Sequence, residues 1–439
     1  MKKFLIQGLI CGCLGWLPAA AEGAPSPERF VLPNGIPLIV QESFSSPTVS
    51  LNIFIRVGSV YEPSPINGIS HFYEHMFFRG TPTRTGLRFK REIEALGGIT
   101  NATTGRDYTH FYINLPKQYL RKGLELLADA YLHAECSQES VDAERLVVLE
   151  EYNLGLNQPA RLMSDKLYSL VFSSHPYGRS IIGTEENLKS IGRTELIQFK
   201  RDFYVPARTK LVITGELDPQ QVLVDCQDLF GSYQAKGSID DKMPVQTPPP
   251  ETVVLNEVSK GSQPQIALAF LGPGVKDRKD VQRIDLLSFM IGNGKASLLG
   301  KELDAAKTGR QGRVEYLTQA YPGMIVVSAD AEAGKEDETL KKVDAVLQKV
   351  REGNFSDKDI KRAQKTLTNL YRFGNETNAG KADNWGVYET IDKMDFSTTY
   401  MDDINKLSKA DLVSAAQKYF GRNHYRLIFK AGRPGGGRG

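Results

Sequence analysis

Apolar and polar residues alternate from Val49 to Val57 (Val-Ser-Leu-Asn-Ile-Phe-Ile-Arg-Val), which predicts a strand with one buried face. Before it, Phe30 to Val40 reads as a hairpin turning at Asn34-Gly35. The Pro63-Ser64-Pro65 break opens a helix that runs through His71 to Phe78 and is closed by Arg79-Gly80-Thr81-Pro82. A short amphipathic helix, Phe89 to Leu96, ends at Gly97-Gly98. Ile99 to Thr104 and Tyr108 to Leu115 then form a strand pair around Gly105-Arg106-Asp107, and two long helices follow, Lys117 to His133 and Ser140 to Leu156.

The stretch 237–252, with Pro248-Pro249-Pro250, reads as a linker between near-equal halves. The second half restarts with a strand, Gln265 to Leu271, a Gly272-Pro273-Gly274 break and a helix, Val281 to Ile291, in the same order as the first. Laying Ile284 over Ile69 places Leu286, Phe289 and Met290 where His71, Glu74 and His75 stand. The second half therefore reads as a duplicate that kept its packing and lost its polar residues. A strand at Met324 to Ala329, helices at Lys335 to Arg351 and Lys358 to Arg372, and a strand at Tyr425 to Phe429 complete it. The expected fold is α+β: two similar domains, 25–236 and 253–432, each an antiparallel-rich sheet with helices packed on one face. The tail, 433–439, is glycine-rich and predicted to be disordered.

Composition excludes some classes. An apolar content of 41% with 24% charged residues is that of an ordinary globular protein. A formal charge of +3, with no basic block interleaved with aromatics, argues against a nucleic-acid partner. Lys2-Lys3, the apolar run Phe4 to Leu17 and the small residues up to Ala21 predict a signal peptide over 1–24, hence an exported chain. That run is too short for a stable membrane span, and an N-terminal anchor is the alternative reading. Beyond it only Cys136 and Cys226 remain, and sequence leaves open whether they pair.

The chemistry is concentrated in His71-Phe72-Tyr73-Glu74-His75. Two histidines four apart stand on one helix face with a glutamate beside them, the pattern of a divalent-metal site with an attached base. Phe72, Met76, Phe77 and Phe78 bury the other sides. A catalytic zinc needs a third protein ligand and an open position, whereas a structural zinc is closed. His110, His133 and His175 are available for that third place, as are Glu144, Glu150 and Glu151. Glu144 and Glu151 are seven apart and share a helix face, and Glu150 points about a hundred degrees away. Spacing does not choose among them.

His71-Phe72-Tyr73-Glu74-His75, Glu144 to Glu151 downstream, Gly97-Gly98-Ile99-Thr100-Asn101-Ala102-Thr103 and His175-Pro176-Tyr177-Gly178 together resemble the pitrilysin/insulinase family of inverted-motif zinc peptidases, in its processing-peptidase branch. The resemblance covers nearly all of the chain after residue 24. It implies that Glu151 completes the zinc site with His71 and His75, and that Glu144 orients a ligand. Glu74 is similar to the family's general base. Asn101, Ala102 and Thr103 look like the edge on which a peptide adds as a strand. His175 to Gly178 reads as a loop that shapes the cleft without doing chemistry.

Family members often carry, in the second half, an arginine and a tyrosine seven residues apart that grip the substrate carbonyl. Here Asp304 and Gln311 stand at those places, with Arg310, Arg313 and Tyr316 nearby. Either Tyr316 serves from a shifted loop, or another chain supplies the pair, since processing-peptidase subunits commonly form closed dimers. The expected function is thus a zinc metalloendopeptidase on short or unfolded peptides, exported to the periplasm or secreted. It would work as a homodimer, or as a heterodimer with a metal-free companion subunit. The alternatives are a non-catalytic assembly or peptide-binding subunit of the same fold, and a structural zinc site in an adhesin or secretion component.

Overall fold

A computed structural model describes residues 26–237, 241–259 and 263–431. The expected signal peptide and tail lie outside them. The first sheet contains β1 (Glu28–Val31), β2 (Pro37–Glu42), β3 (Thr48–Ile55), β4 (Ile99–Thr104), β5 (Thr109–Pro116) and β6 (Thr209–Gly215). The second contains β7 (Val253–Ser259), β8 (Gln265–Leu271), β9 (Gly309–Tyr316), β10 (Met324–Ala331) and β11 (Tyr425–Ala431).

Across the first sheet the order is β1-β2-β6-β3-β5-β4, and across the second it is β9-β10-β8-β11-β7. With β1 set aside, each sheet arranges its five strands identically: first, last, second, fourth, third in chain order. In each, only the first and last strands pair in parallel. The duplication expected from a faint repeat is therefore a repeat of topology. The helix Arg278–Gly292 follows β8 as the helix Ile69–Phe77 follows β3, and Leu286 and Met290 on it are fully buried in the second core.

Strand periodicity explains how the halves join. On β3, Val49, Leu51, Ile53 and Ile55 face the helices of their own half, whereas Phe54 faces the other way. That second face is covered by a helix from far down the chain, Asn378–Ile391, which lies across β3 and β6 and buries Ala382 against Ile39, Phe54 and Val212. Gly386 makes this possible, because a Cβ there would come within 2.0 Å of the Phe54 ring. Phe54 stacks on His110 with the centroids 3.9 Å apart. In the opposite direction, the helix Pro159–Val171 packs on β8 and β11 of the second sheet.

The stretch expected as a linker has no helix or strand among its described residues, but it is tied down. Asp241 pairs with Arg208 (2.9 Å) and Arg56 (3.3 Å), and its carbonyl accepts from Tyr321 Oη (3.0 Å). Cys136 and Cys226 are both free and buried, so they do not pair. No helix of the described residues is long and apolar enough to cross a membrane.

The halves also share a buried polar chain. Asp107 accepts from Tyr177 Oη (2.6 Å) and from the Ala320 amide (3.1 Å), and Tyr177 Oη in turn accepts from the Tyr321 amide (3.1 Å). The His175 to Gly178 loop thus joins the first half to the second half. Burial pushes the Asp107 carboxyl up to about 6. A carboxyl whose proton is held more tightly in the folded chain stabilises fully below about pH 4, and that contribution is lost as the pH rises through about 6. Urea titrations of wild type and Asp107→Asn across that window should show the stability difference narrowing by about 1–3 kcal/mol as pH rises. A constant difference would show that Asp107 does not titrate there.

Candidate metal centre and peptide cleft

The helix α1 (Ile69–Phe77) buries Ile69, Phe72, Tyr73, Met76 and Phe77, which leaves His71, Glu74 and His75 on its open face. Phe77 fixes its roll by stacking on Phe111 of β5 at 3.8 Å. Its first residue follows Gly68, which has φ +99 and no side chain to cap the helix. The cap comes instead from Glu62. That buried carboxylate accepts from the Gly68 amide (2.7 Å), the Ser70 amide (2.8 Å) and Asn67 Nδ2 (2.6 Å). The sequence reading missed Glu62, because it is a nonlocal cap six residues upstream.

Beyond the short helix α2 (Gly86–Ala95) and α3 (Leu120–His133), the third ligand arrives on α4 (Gln138–Gly155). Ser137 caps α4 by accepting from the Ser140 amide, while Val141, Glu144 and Val148 bury one face. Glu151 continues that face toward α1, and Glu150 is exposed to solvent.

Three ligand atoms, from His71, His75 and Glu151, lie within 4.8 Å of one another. Glu151 Oε2 stands 3.5 Å from His71 Nε2 and 3.6 Å from His75 Nε2. Burial pushes His71 down to about 4, so its imidazole is neutral at pH 7. Contact with His75 holds the Glu151 carboxyl below its ordinary value. His75 Nδ1 faces Glu144 at 2.8 Å. With its proton on Nδ1 toward Glu144, which as a carboxylate only accepts, the His75 ring would leave its Nε2 lone pair for a metal. Two imidazoles and one carboxylate fit zinc with a coordination place to spare. Glu144 is itself held by an ion pair with Arg79, four residues after His75.

Glu74 lies beside this group, and Thr104 Oγ1 at the end of β4 donates to its Oε2. Burial raises the Glu74 carboxyl and the Thr104 hydrogen bond opposes that rise. Among the described residues the strand β4 pairs only with β5, so its outer edge is open there. Asn101 and Ala102 line a cleft of about 870 Å³ together with Glu74, His75, Phe78, Leu87 and Phe89. Thr103 is exposed and does not line it.

The structure does not bring Tyr316 to this group. Its side chain packs against the second core and its hydroxyl donates to the Pro273 carbonyl (3.0 Å). Arg310 and Arg313 are likewise engaged, with Gln263 (2.7 Å) and Gln311 (2.5 Å). In this structure the Tyr316 phenol, expected as a gripping group, donates to a backbone carbonyl.

Comparison with known proteins agrees with this geometry. Residues 38–185 match the family described as insulinase (Peptidase family M16), and residues 190–367 match the Peptidase M16 inactive domain. An uncharacterized zinc protease of Bacillus subtilis is 25% identical over 83% of this chain and 88% of its own length. A probable mitochondrial-processing peptidase subunit beta of Arabidopsis thaliana is 31% identical over 47% of this chain and 39% of its own. Among solved structures, a protease from Helicobacter pylori shares the fold with a TM-score of 0.86 at 22% identity, covering 93% of this chain and all of that one.

Proposed function

Because the chain belongs to the M16 insulinase family of peptidases, we propose that it is a zinc metalloendopeptidase that hydrolyses bonds in short or unfolded peptides. The observation that carries this reading is the placement of Glu74, a carboxylate outside the three-residue cluster that lines the same cleft as His75. His71, His75 and Glu151 would hold zinc, which when bound would supply Lewis-acid polarisation of an attacking water and the scissile carbonyl. Glu74 takes the proton from that water and hands it to the departing amine, with Thr104 holding its second oxygen in place. The open edge of β4 binds the peptide main chain as an added strand, which makes recognition tolerant of sequence. Phe78, Leu87 and Phe89 offer an apolar wall to one side chain of the substrate.

Among the described residues, no ion pair or hydrogen bond ties an arginine or tyrosine of the second half to the cluster. We therefore propose that a second subunit, a copy of this chain or a metal-free companion, supplies the pair and closes a chamber around the substrate. The likeness to a chain named as a peptidase subunit supports pairing. The N-terminal pattern of charge, apolar run and small residues supports export to the periplasm. A non-catalytic peptide-binding role is the second reading, favoured by the description of the second half's family as inactive; the full ligand set with its base weighs against it.

Purified protein should contain one zinc per chain and cleave a mixed peptide library slowly, with a chelator stopping cleavage and added zinc restoring it. A companion subunit should raise the rate. Full activity from a demonstrably monomeric sample would overturn the chamber. Failure to bind zinc would overturn the metallopeptidase reading itself.

A further inference from the structure

We propose that Arg161 is a positioning residue for the carboxylate ligand of the metal centre; this rests on the zinc reading above. Arg161 lies in the first turn of α5 (Pro159–Val171), the helix that follows α4. Its Nη1 is 4.0 Å from Glu151 Oε1, while Glu151 Oε2 faces the two imidazoles. The carboxylate thus lies between cation and ligands, one oxygen toward each.

A built space admits the guanidinium. Gly155 is four residues after Glu151 and therefore lies on the same face of α4. A Cβ at Gly155 would stand 2.8 Å from both Arg161 Cζ and Nη1, so the guanidinium rests on bare backbone. Among the described residues Glu151 is its one ion-pair partner. The arrangement repeats what surrounds Glu144, which sits between the His75 imidazole and Arg79. Glu151 and Glu144 thus each face an imidazole on one side and a guanidinium on the other.

Two effects of Arg161 on zinc have opposite signs. Its charge repels a cation, and its attraction for Oε1 biases the orientation of Glu151. The pair is partly exposed, with side-chain exposures of 31% and 42%, so solvent screens the repulsion. Orientation dominates, because partners that fix a ligand typically change metal affinity 10–100-fold. The helix α5 also packs on β8 and β11, and Lys166 on it pairs with Glu257 at 2.9 Å. The ligand carboxylate is thereby referenced to the second half.

The test is zinc affinity, measured by chelator competition on the full chain. Arg161→Met keeps the aliphatic stem, and Gly155→Ala displaces the guanidinium while keeping its charge. Both should weaken zinc binding about 10–100-fold, with Arg161→Lys between them and wild type. Metal-free melting temperatures within a few degrees of wild type show that the fold is intact. Unchanged or tighter zinc binding by both Arg161→Met and Gly155→Ala overturns the proposal while leaving the metallopeptidase reading in place. A wild-type chain that binds no zinc removes both.

Discussion

Replacing Glu74 with glutamine should lower turnover by about 10²–10⁴-fold while zinc content stays at the wild-type level. The substitution keeps the shape of the side chain and an oxygen that accepts from Thr104 Oγ1. The lost property is basicity, which the proposed mechanism needs for accepting a proton from water. Glu74 is not among the three converging ligands, so metal affinity should move little. The experiment pairs kcat on a fluorogenic peptide with metal analysis of the same preparation. Loss of zinc along with activity would assign Glu74 to the metal rather than to proton transfer. Turnover within a few-fold of wild type would remove it from the reaction.

The second large effect is on stability. Gly68→Ala should destabilise the fold by about 3–5 kcal/mol. At φ +99 an alanine is strained, and its Cβ would meet the Ile182 carbonyl oxygen at 2.4 Å. Gly183 answers from the other side with φ +84, and a Cβ there would meet the Asn67 carbonyl oxygen at 2.3 Å. Two backbones cross here with no side chain between them, and neither can retreat without moving the start of α1. Thermal unfolding of the metal-free chain measures the effect, and a change under 1 kcal/mol would show that the crossing is not rigid.

Local chemistry was readable from the chain, and chemistry assembled across it was not. His71, Glu74 and His75 share one helical face, so spacing alone proposed a metal. Glu151 needed the family resemblance, because Glu144 occupies the same face of α4 and both reach toward His75. Arg79 could have been found as the residue four after His75. Thr104 and Glu62 had no such mark, since a threonine in a strand and a glutamate before a proline are common without function. Strand β6 escaped because its run Leu211-Val212-Ile213 gains meaning only when inserted between β2 and β3, more than a hundred and fifty residues upstream. The order of strands in the second half was equally hidden, although its repetition of the first made the duplication plain once seen.

The helix Asn378–Ile391 that roofs the first sheet sets a schedule for biosynthesis. A ribosome releases the first half long before this helix exists, so Ile39, Phe54 and Val212 emerge onto an uncovered sheet and must wait for it. Contacts of such sequence separation close late and slowly. The nascent chain consequently carries a sticky apolar face during synthesis, which is a reason for a holding chaperone to engage it. Expressed alone, the first half should aggregate, and supplying the second half in trans should rescue it.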